Sequence, residues 1–306
     1  MINRIEMKST AETKYAIGMD VGGSHLSSAV VDLSTGKFVG EVVNTPIDSK
    51  ASASVILGAF EENIAGVSEY SEHVQLSGLG IAIPGPFDYV NGVSMIAGVC
   101  KYDSVFGLDF VKTLLPRVNK YGIRSFRFIN DASAFALGEY FGGAGKGKHK
   151  VMVLTLGTGV GSGFVEDGKM IEDGPSVPEN GWVYNYPFEG GIADDAFSTR
   201  WFVKRFKELT GNTVKGAKEI AGLWGKNPSA NRIFEEYGLR LAEFIAPLSG
   251  RFGAEEVILG GNIARAFPLF GKITRNRLTE LGCKSGLNTS ILWDKAAMTG
   301  AASLFV

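Results

Sequence analysis

Asp131 stands where a carboxylate could take a proton. It follows Asn130 and precedes the small residues Ala132-Ser133-Ala134, which continue at helical spacing. Downstream, residues 151–156 form an apolar strand that runs into Gly157-Thr158-Gly159-Val160-Gly161-Ser162-Gly163. Glycines let backbone N–H groups converge on an anion with no Cβ in the way. A base beside such a cradle is the least apparatus for moving a phosphoryl group onto a hydroxyl. A second candidate cradle, Gly22-Gly23-Ser24, follows the apolar run 15–20. Asp20 ends that run, where an unpaired carboxylate would be costly, so it calls for a metal or amide donors. The plainer roles are a helix N-cap for Asp131 and hairpin turns for the glycines. A cap leaves one carboxylate oxygen free, so both roles can hold for Asp131.

The elements that must hold these groups read as two copies of one plan. Residues 15–20, 26–32 and 38–43 form a strand meander whose turns carry Gly22-Gly23-Ser24 and Ser34-Thr35-Gly36. Between 52 and 68, Val55, Ile56, Ala59, Phe60, Ile64 and Val67 recur at helical spacing. A strand at 75–83 stops at Pro84-Gly85-Pro86, a helix covers 109–119, and a strand at 125–129 delivers the chain to Asp131. The plan then restarts: strand 150–156, glycine turn, strand 162–166, the turn Asp167-Gly168, strand 169–171. Gly22 matches Gly157, and two such units suggest two similar lobes closing on a nucleotide. Beyond Asp194 the chain is mainly helical. Phe197, Trp201, Phe206 and Leu209 mark one helix, and the stripe from Ile233 to Leu248 marks a longer one, most simply core. A buried strand at 256–259 ends on Gly260-Gly261-Asn262, with helices from about residue 264 and over 294–304.

Composition narrows the function. The 306 residues are 45% hydrophobic and 21% charged, enough for an ordinary core in two domains. A net charge of −1 argues against a nucleic-acid binder. Two cysteines, Cys100 and Cys283, cannot build a disulfide framework or a cysteine-rich zinc site, and Cys100 reads as a small core residue. His25, His73 and His149 sit in unrelated segments. The polar stretch 1–14 lacks the apolar run of a signal peptide, and no stretch approaches a membrane span. A soluble cytoplasmic protein is expected. The 41 glycines cluster at strand ends, as turns with specific work rather than as a linker. Segment 142–148 imitates a phosphate-binding P-loop but is rejected. His149 stands where Ser or Thr is required, and the segment precedes a strand.

Five motifs in order resemble the sugar kinase, heat-shock protein and actin ATPase superfamily, and within it the ROK family (repressor, open reading frame, kinase). They are Ile17-Gly18-Met19-Asp20-Val21-Gly22-Gly23-Ser24, Gly80-Ile81-Ala82-Ile83-Pro84-Gly85-Pro86-Phe87-Asp88, Asn130-Asp131-Ala132-Ser133-Ala134-Phe135-Ala136-Leu137-Gly138-Glu139, Leu154-Thr155-Leu156-Gly157-Thr158-Gly159-Val160-Gly161 and Val257-Ile258-Leu259-Gly260-Gly261-Asn262. The resemblance implies an α/β fold of two ribonuclease-H-like lobes, the actin-like ATPase fold, with a cleft between residues 1–129 and residues 130–306. The last helix would pack back on the first lobe.

It also implies ATP-dependent phosphorylation of a hexose or N-acetylhexosamine. Asp131 would be the general base and Asn130 would bind the sugar beside it. Gly22, Gly23, Ser24, Gly157, Thr158 and Gly159 would hold the phosphates of ATP, with Gly260, Gly261 and Asn262 against the adenosine. Asp20 would sit near Mg²⁺, directly or through water. Glu179 would contact the sugar, and a second carboxylate falls at Asp194, with Glu189 and Asp195 as alternatives. Where the family carries a His for its one-His, three-Cys zinc site, this chain has Trp182, and no cysteine lies between Cys100 and Cys283, so no structural zinc is expected. A homodimer is implied, with no nucleic-acid or membrane partner. Two other readings compete: a sugar-responsive regulator, for which about 14 residues before the first strand leave too little room for a DNA-binding module, and a scaffold that kept the fold and lost the activity.

Overall fold

The computed structural model describes residues 14–98 and 101–306; the polar stretch before Lys14, and Cys100, lie outside the described residues. In the first lobe β1 (Tyr15–Val21), β2 (His25–Asp32) and β3 (Phe38–Pro46) form an antiparallel meander. Next come α1 (Ala53–Ser68), β4 (Leu76–Ala82), the small hairpin β5 (Phe87–Asp88) and β6 (Val93–Ser94), α2 (Phe110–Val118) and β7 (Phe126–Ile129). The sheet order is β3-β2-β1-β4-β7, with β4 and β7 parallel to β1. The helix α1 buries Ile56, Leu57, Phe60, Ile64 and Val67 against this sheet. Val55, expected on that face, is 57% exposed; Leu57 takes its place. The buried Asn63 fixes the helix to the sheet. Its amide donates to Leu26 O, Val43 O and Thr45 Oγ1 at 3.1–3.2 Å, and its oxygen accepts from Ser28. Such a fully paired buried amide specifies one docking geometry.

The second lobe repeats the plan. The strands β8 (Lys150–Leu156), β9 (Val160–Glu166) and β10 (Lys169–Met170) are followed by the hairpin β11 (Pro187–Phe188) and β12 (Gly191–Ile192). The helices α4 (Ala193–Phe197), α5 (Thr199–Thr210), α6 (Ala217–Ala221) and α7 (Pro228–Phe252) come next. Then follow β13 (Glu256–Gly260), α8 (Gly261–Ala264), α9 (Phe267–Glu280) and β14 (Gly286–Thr289). Its sheet order, β10-β9-β8-β13-β14, copies the first strand for strand. The stripe from Ile233 to Leu248 is core, buried throughout in α7. The helix expected around Phe197 and Trp201 is two helices. Ser198 breaks it with extended backbone, and the turn at that break touches the candidate site.

Two helices join the sheets. From the end of β7, α3 (Asp131–Phe141) runs against β9, and α10 (Ala296–Ser303) lies on α3, β1 and β4. The last helix thus packs against the first sheet. Backbone meets backbone there: a Cβ added at Gly18, Gly80 or Gly138 would come 1.9 Å from the carbonyl oxygen of Met298, Ala301 or Ala296. No rotamer relieves such a clash. Gly80→Val should therefore cost more than about 3 kcal/mol by overpacking, checked by urea unfolding; a loss below about 1 kcal/mol would contradict the packing.

Candidate active site

Strand register brings the acidic groups together. Asp20 pairs with Ala82, and Ala82 with Ile129, so the three form one row across β1, β4 and β7. Neighbouring strands lie about 4.8 Å apart, which puts the exit of β7 roughly 10 Å from Asp20. Asn130 and Asp131 follow at once. Asn130, not Asp131, is the N-cap of α3: its Oδ1 accepts from Ala132 N (3.0 Å) and Ser133 N (3.3 Å). Asp131 is the first helical residue, and its Oδ1 accepts from the same Ala132 N–H at 2.9 Å. The Asn130 side chain also hydrogen-bonds to the carboxyl and favours its charged form. The carboxylate is open to solvent yet surrounded by protein on most sides, and this desolvation raises its pKa, against the Ala132 N–H bond that lowers it. The Asn130 amide donates to Tyr89 Oη at 3.3 Å, and Tyr89 donates to Ile83 O at 3.1 Å. Burial, together with the charges of Asp131 and Glu172, pushes the Tyr89 phenol up to about 12, so it stays a neutral donor.

Asp20 is the most perturbed of these carboxyls. Burial first, then the charges of Asp131 and Asp294, push its pKa up to about 7. Asp294 is itself exposed and paired with Arg265 at 2.8 Å, whereas Asp20 has no ion pair among the described residues. Hard carboxylate oxygens are what Mg²⁺ takes, so a divalent cation would fit beside Asp20. Asp294 was not anticipated. It is placed by the buried Glu139 of α3, which accepts from Ser290 Oγ and from the Leu292 N–H at 3.1 Å and so anchors the segment leading into α10.

Both glycine turns are held open by neighbours that sequence reasoning missed. At the first, Tyr102 Oη donates to Gly22 O, and the Lys101 ammonium lies 3.4 Å from where a Cβ on Gly23 would be. At the second, Gly157 O accepts from Thr199 N (2.8 Å) and Thr199 Oγ1 (2.9 Å) at the start of α5. Gly157 has ordinary φ and nothing within 4 Å of its absent Cβ. The chain itself needs no glycine there; an approaching ligand would. The reverse holds at Gly260 and Gly261. Phe135 fills the space beside Gly260, and Gly261 has φ +80 with Leu156 O 2.4 Å from its absent Cβ, so local packing already accounts for both.

Asp194, expected at the sugar, reaches the second glycine turn. Its Oδ1 accepts from Val160 N at 2.7 Å and its Oδ2 is paired with Arg200. Of its alternatives, Glu189 pairs with Arg240 at 2.7 Å, and Asp195 lies 3.7 Å from Arg200 in a surface groove. Glu179 begins a short 3-10 turn, exposed and without a side-chain partner among the described residues, on a loop tied down by Ser162 through Gly181 O and Val183 N. That loop brings Gly181 against Glu172, whose own pKa is raised by burial and then by Asp173. Glu172 and Tyr89 therefore border the Asp131 side of the cleft from opposite lobes. Trp182 packs beside Tyr184, the rings tilted at 42° with centroids 5.9 Å apart and both nearly half exposed.

The ROK family model matches residues 16–306. The chain belongs to the ROK family. A relative, the glucokinase of Thermotoga maritima, is 28% identical over 94% of this chain and 96% of its own. Among solved ROK structures, a hexokinase from Thermus thermophilus superposes with TM-score 0.70 at 21% identity, covering 94% of this chain and 97% of that one. A glucokinase from Streptomyces griseus, solved with glucose and AMPPNP, gives TM-score 0.69 at 23% identity over 95% and 98%. These likenesses establish the two-lobed actin-like ATPase fold.

Proposed function

We propose that the chain phosphorylates a hexose or N-acetylhexosamine from ATP, with Asp131 as general base. As a ROK member with a glucokinase relative, it is an ATP-dependent sugar kinase. The observation that carries the residue assignment is Asp131 itself: an exposed carboxylate at the start of α3 with its Oδ1 on Ala132 N–H, two strands from Asp20. The other oxygen, Oδ2, takes the proton of a sugar hydroxyl as that hydroxyl attacks the γ-phosphorus. The new O–P bond forms as the bond to the β-phosphate oxygen breaks, and ADP leaves. Asn130 and Tyr89 hold the sugar beside the base, with Glu172 and Glu179 closing its far side. The N–H groups of Gly23, Ser24, Thr158 and Gly159 carry the phosphates, those of Gly22 and Gly157 already closing their turns on His25 O and Gly159 O (3.0 Å each), and the Gly260–Asn262 turn borders the adenosine.

Mg²⁺, held near Asp20, would offset phosphate charge. Closure of the lobes excludes water, whose attack on ATP is the competing reaction. A homodimer in the cytoplasm completes the proposal. The test is coupled ADP release with Mg-ATP across hexoses and N-acetylhexosamines. One or a few sugars should raise the rate far above the sugar-free rate; equal rates with and without every sugar would overturn the reading.

In this account Asp194 shapes the phosphate turn. Asp194→Ala removes a charge-assisted bond worth about 1.5–3 kcal/mol. KM for ATP should rise about tenfold or more while KM for the sugar changes little. The opposite split would return Asp194 to the sugar.

A further inference from the structure

Among the described residues, a Cβ added at Gly23 would meet only the side chain of Lys101, with Nζ at 3.4 Å and Cε at 3.8 Å. The lysine arrives on the loop that precedes α2, and its neighbour Tyr102 fixes it there. The Tyr102 ring is buried, its hydroxyl donates to Gly22 O, and its N–H donates to Ser49 O at 2.6 Å. Tyr102 has φ +60, a conformation that residues other than glycine seldom adopt, and these two bonds hold it. Ser104 Oγ pins the loop once more by donating to Ala51 O at 2.7 Å. Lys101 itself is exposed and has no acidic partner among the described residues. Arg200, beside the second turn, is by contrast paired with Asp194, and Arg265 with Asp294. His25, at the end of the first turn, lies against Ser24, with its Nδ1 3.3 Å from the hydroxyl. An unpaired ammonium thus rests on the first glycine turn.

We propose that Lys101 is a catalytic residue that holds the transferred phosphoryl group on the first glycine turn. The proposal rests on the kinase reading above. The turn and the base share one edge of the first sheet: β1 leads into Gly22–Ser24, and β7, two strands away, leads into Asp131. A phosphate seated on that turn is therefore on the base's side of the cleft. Mg²⁺ offsets only part of the charge of a triphosphate, and Asp20 and Asp131 add to it at the same edge. An ammonium placed in advance supplies the missing positive charge without reorganisation during the reaction. The sugar hydroxyl attacks the γ-phosphorus, the bond to the β-phosphate oxygen breaks, and the proton passes to Asp131. Lys101 keeps its own protons and donates them as hydrogen bonds to the phosphoryl oxygens throughout. A compact charge with three rotatable donors on a flexible stem can follow the group from ATP to the sugar.

The experiment uses Lys101→Met in the full chain, which keeps the side chain's bulk and removes its charge. Lys101 is exposed, so the fold should not change. At saturating Mg-ATP and sugar, kcat should fall about 10²- to 10³-fold, the range for losing one preorganised donor to transition-state charge. KM for the sugar should stay within about threefold. Lys101→Arg should regain at least about tenfold, since the charge returns without the lysine's geometry. Calorimetric titration places the contact. Lys101→Met should weaken AMPPNP about tenfold or more, and ADP, which has no γ-phosphate, by less than about threefold. A kcat within about threefold of wild type overturns the proposal. So does an equal weakening of AMPPNP and ADP, which would put the ammonium on the inner phosphates. Should the wild type phosphorylate no sugar, the kinase reading fails separately. The two titrations then still decide Lys101: selective weakening of AMPPNP supports it, and equal or absent weakening refutes it.

Discussion

Asp131→Asn lowers kcat by about 10²- to 10⁴-fold, the range for loss of a positioned general base. Shape is kept: an amide oxygen can still accept from Ala132 N–H, and Asn130 rather than residue 131 caps α3, so the helix start survives. Nucleotide affinity, set at the glycine turns, should change by less than about threefold. The loss therefore belongs in kcat, the mark of an interaction made in the transition state. Coupled ADP release and nucleotide titration separate the two quantities. A variant within about threefold of wild-type kcat would remove Asp131 from the chemistry.

Asp20→Asn gives the second large effect, with two opposite signs. In the folded chain the Asp20 carboxyl has its pKa pushed up to about 7, from 3.8. A raised carboxylate pKa means that folding favours the protonated form. The cost is absent below the unfolded value, grows between about 4 and 7, and is complete above that. It amounts to at most roughly 4 kcal/mol at 1.36 kcal/mol for each pH unit of displacement. Without ligand, the variant should thus be more heat-stable than wild type at pH 8 and indistinguishable near pH 4. With Mg-ATP the order reverses, because the wild type alone supplies the charge that the cation balances, and turnover in the variant falls by about two orders of magnitude or more. Melting curves at the two pH values, with and without Mg-ATP, read all of this. A variant less stable than wild type at pH 8 without ligand would show that Asp20 is already compensated inside the protein.

Much of the fold was legible because each lobe starts with strongly apolar strands joined by turns rich in glycine. Those signals are local, and the structure returns them nearly to the residue, as in β8 and β9 around Gly157–Gly159. The four-residue β14 and the hairpins at Phe87–Ser94 and Pro187–Ile192 escaped, being too short for any periodicity to show. The repeat was legible for the same reason that the glycine turns were. Each sheet is one meander followed by parallel strands, so the two copies share their punctuation even where the letters differ.

The site was legible where a motif carries its own chemistry and not where contacts are made across the chain. Asn130 and Asp131 were both marked, but which of them caps α3 depends on backbone angles that letters do not record. Tyr89, Tyr102, Glu172, Arg200 and Asp294 each reach the cleft from a loop or a helix end. Only tertiary packing, such as the anchoring of residues 290–292 by Glu139, brings them there. Asp194 shows the converse: a carboxylate marked by its stretch, whose contacts with Val160 N–H and Arg200 beside the second glycine turn the letters do not record.

The most direct measurement of the central claim is a product balance: purified protein, Mg-ATP and the sugar that accelerates ADP release, with ADP and sugar phosphate both quantified by mass spectrometry. The account predicts one sugar phosphate for each ADP, with both products lost together in Asp131→Asn. ADP formed without sugar phosphate, or equal ADP from wild type and Asp131→Asn, would mean that Asp131 does not deliver a sugar hydroxyl to ATP.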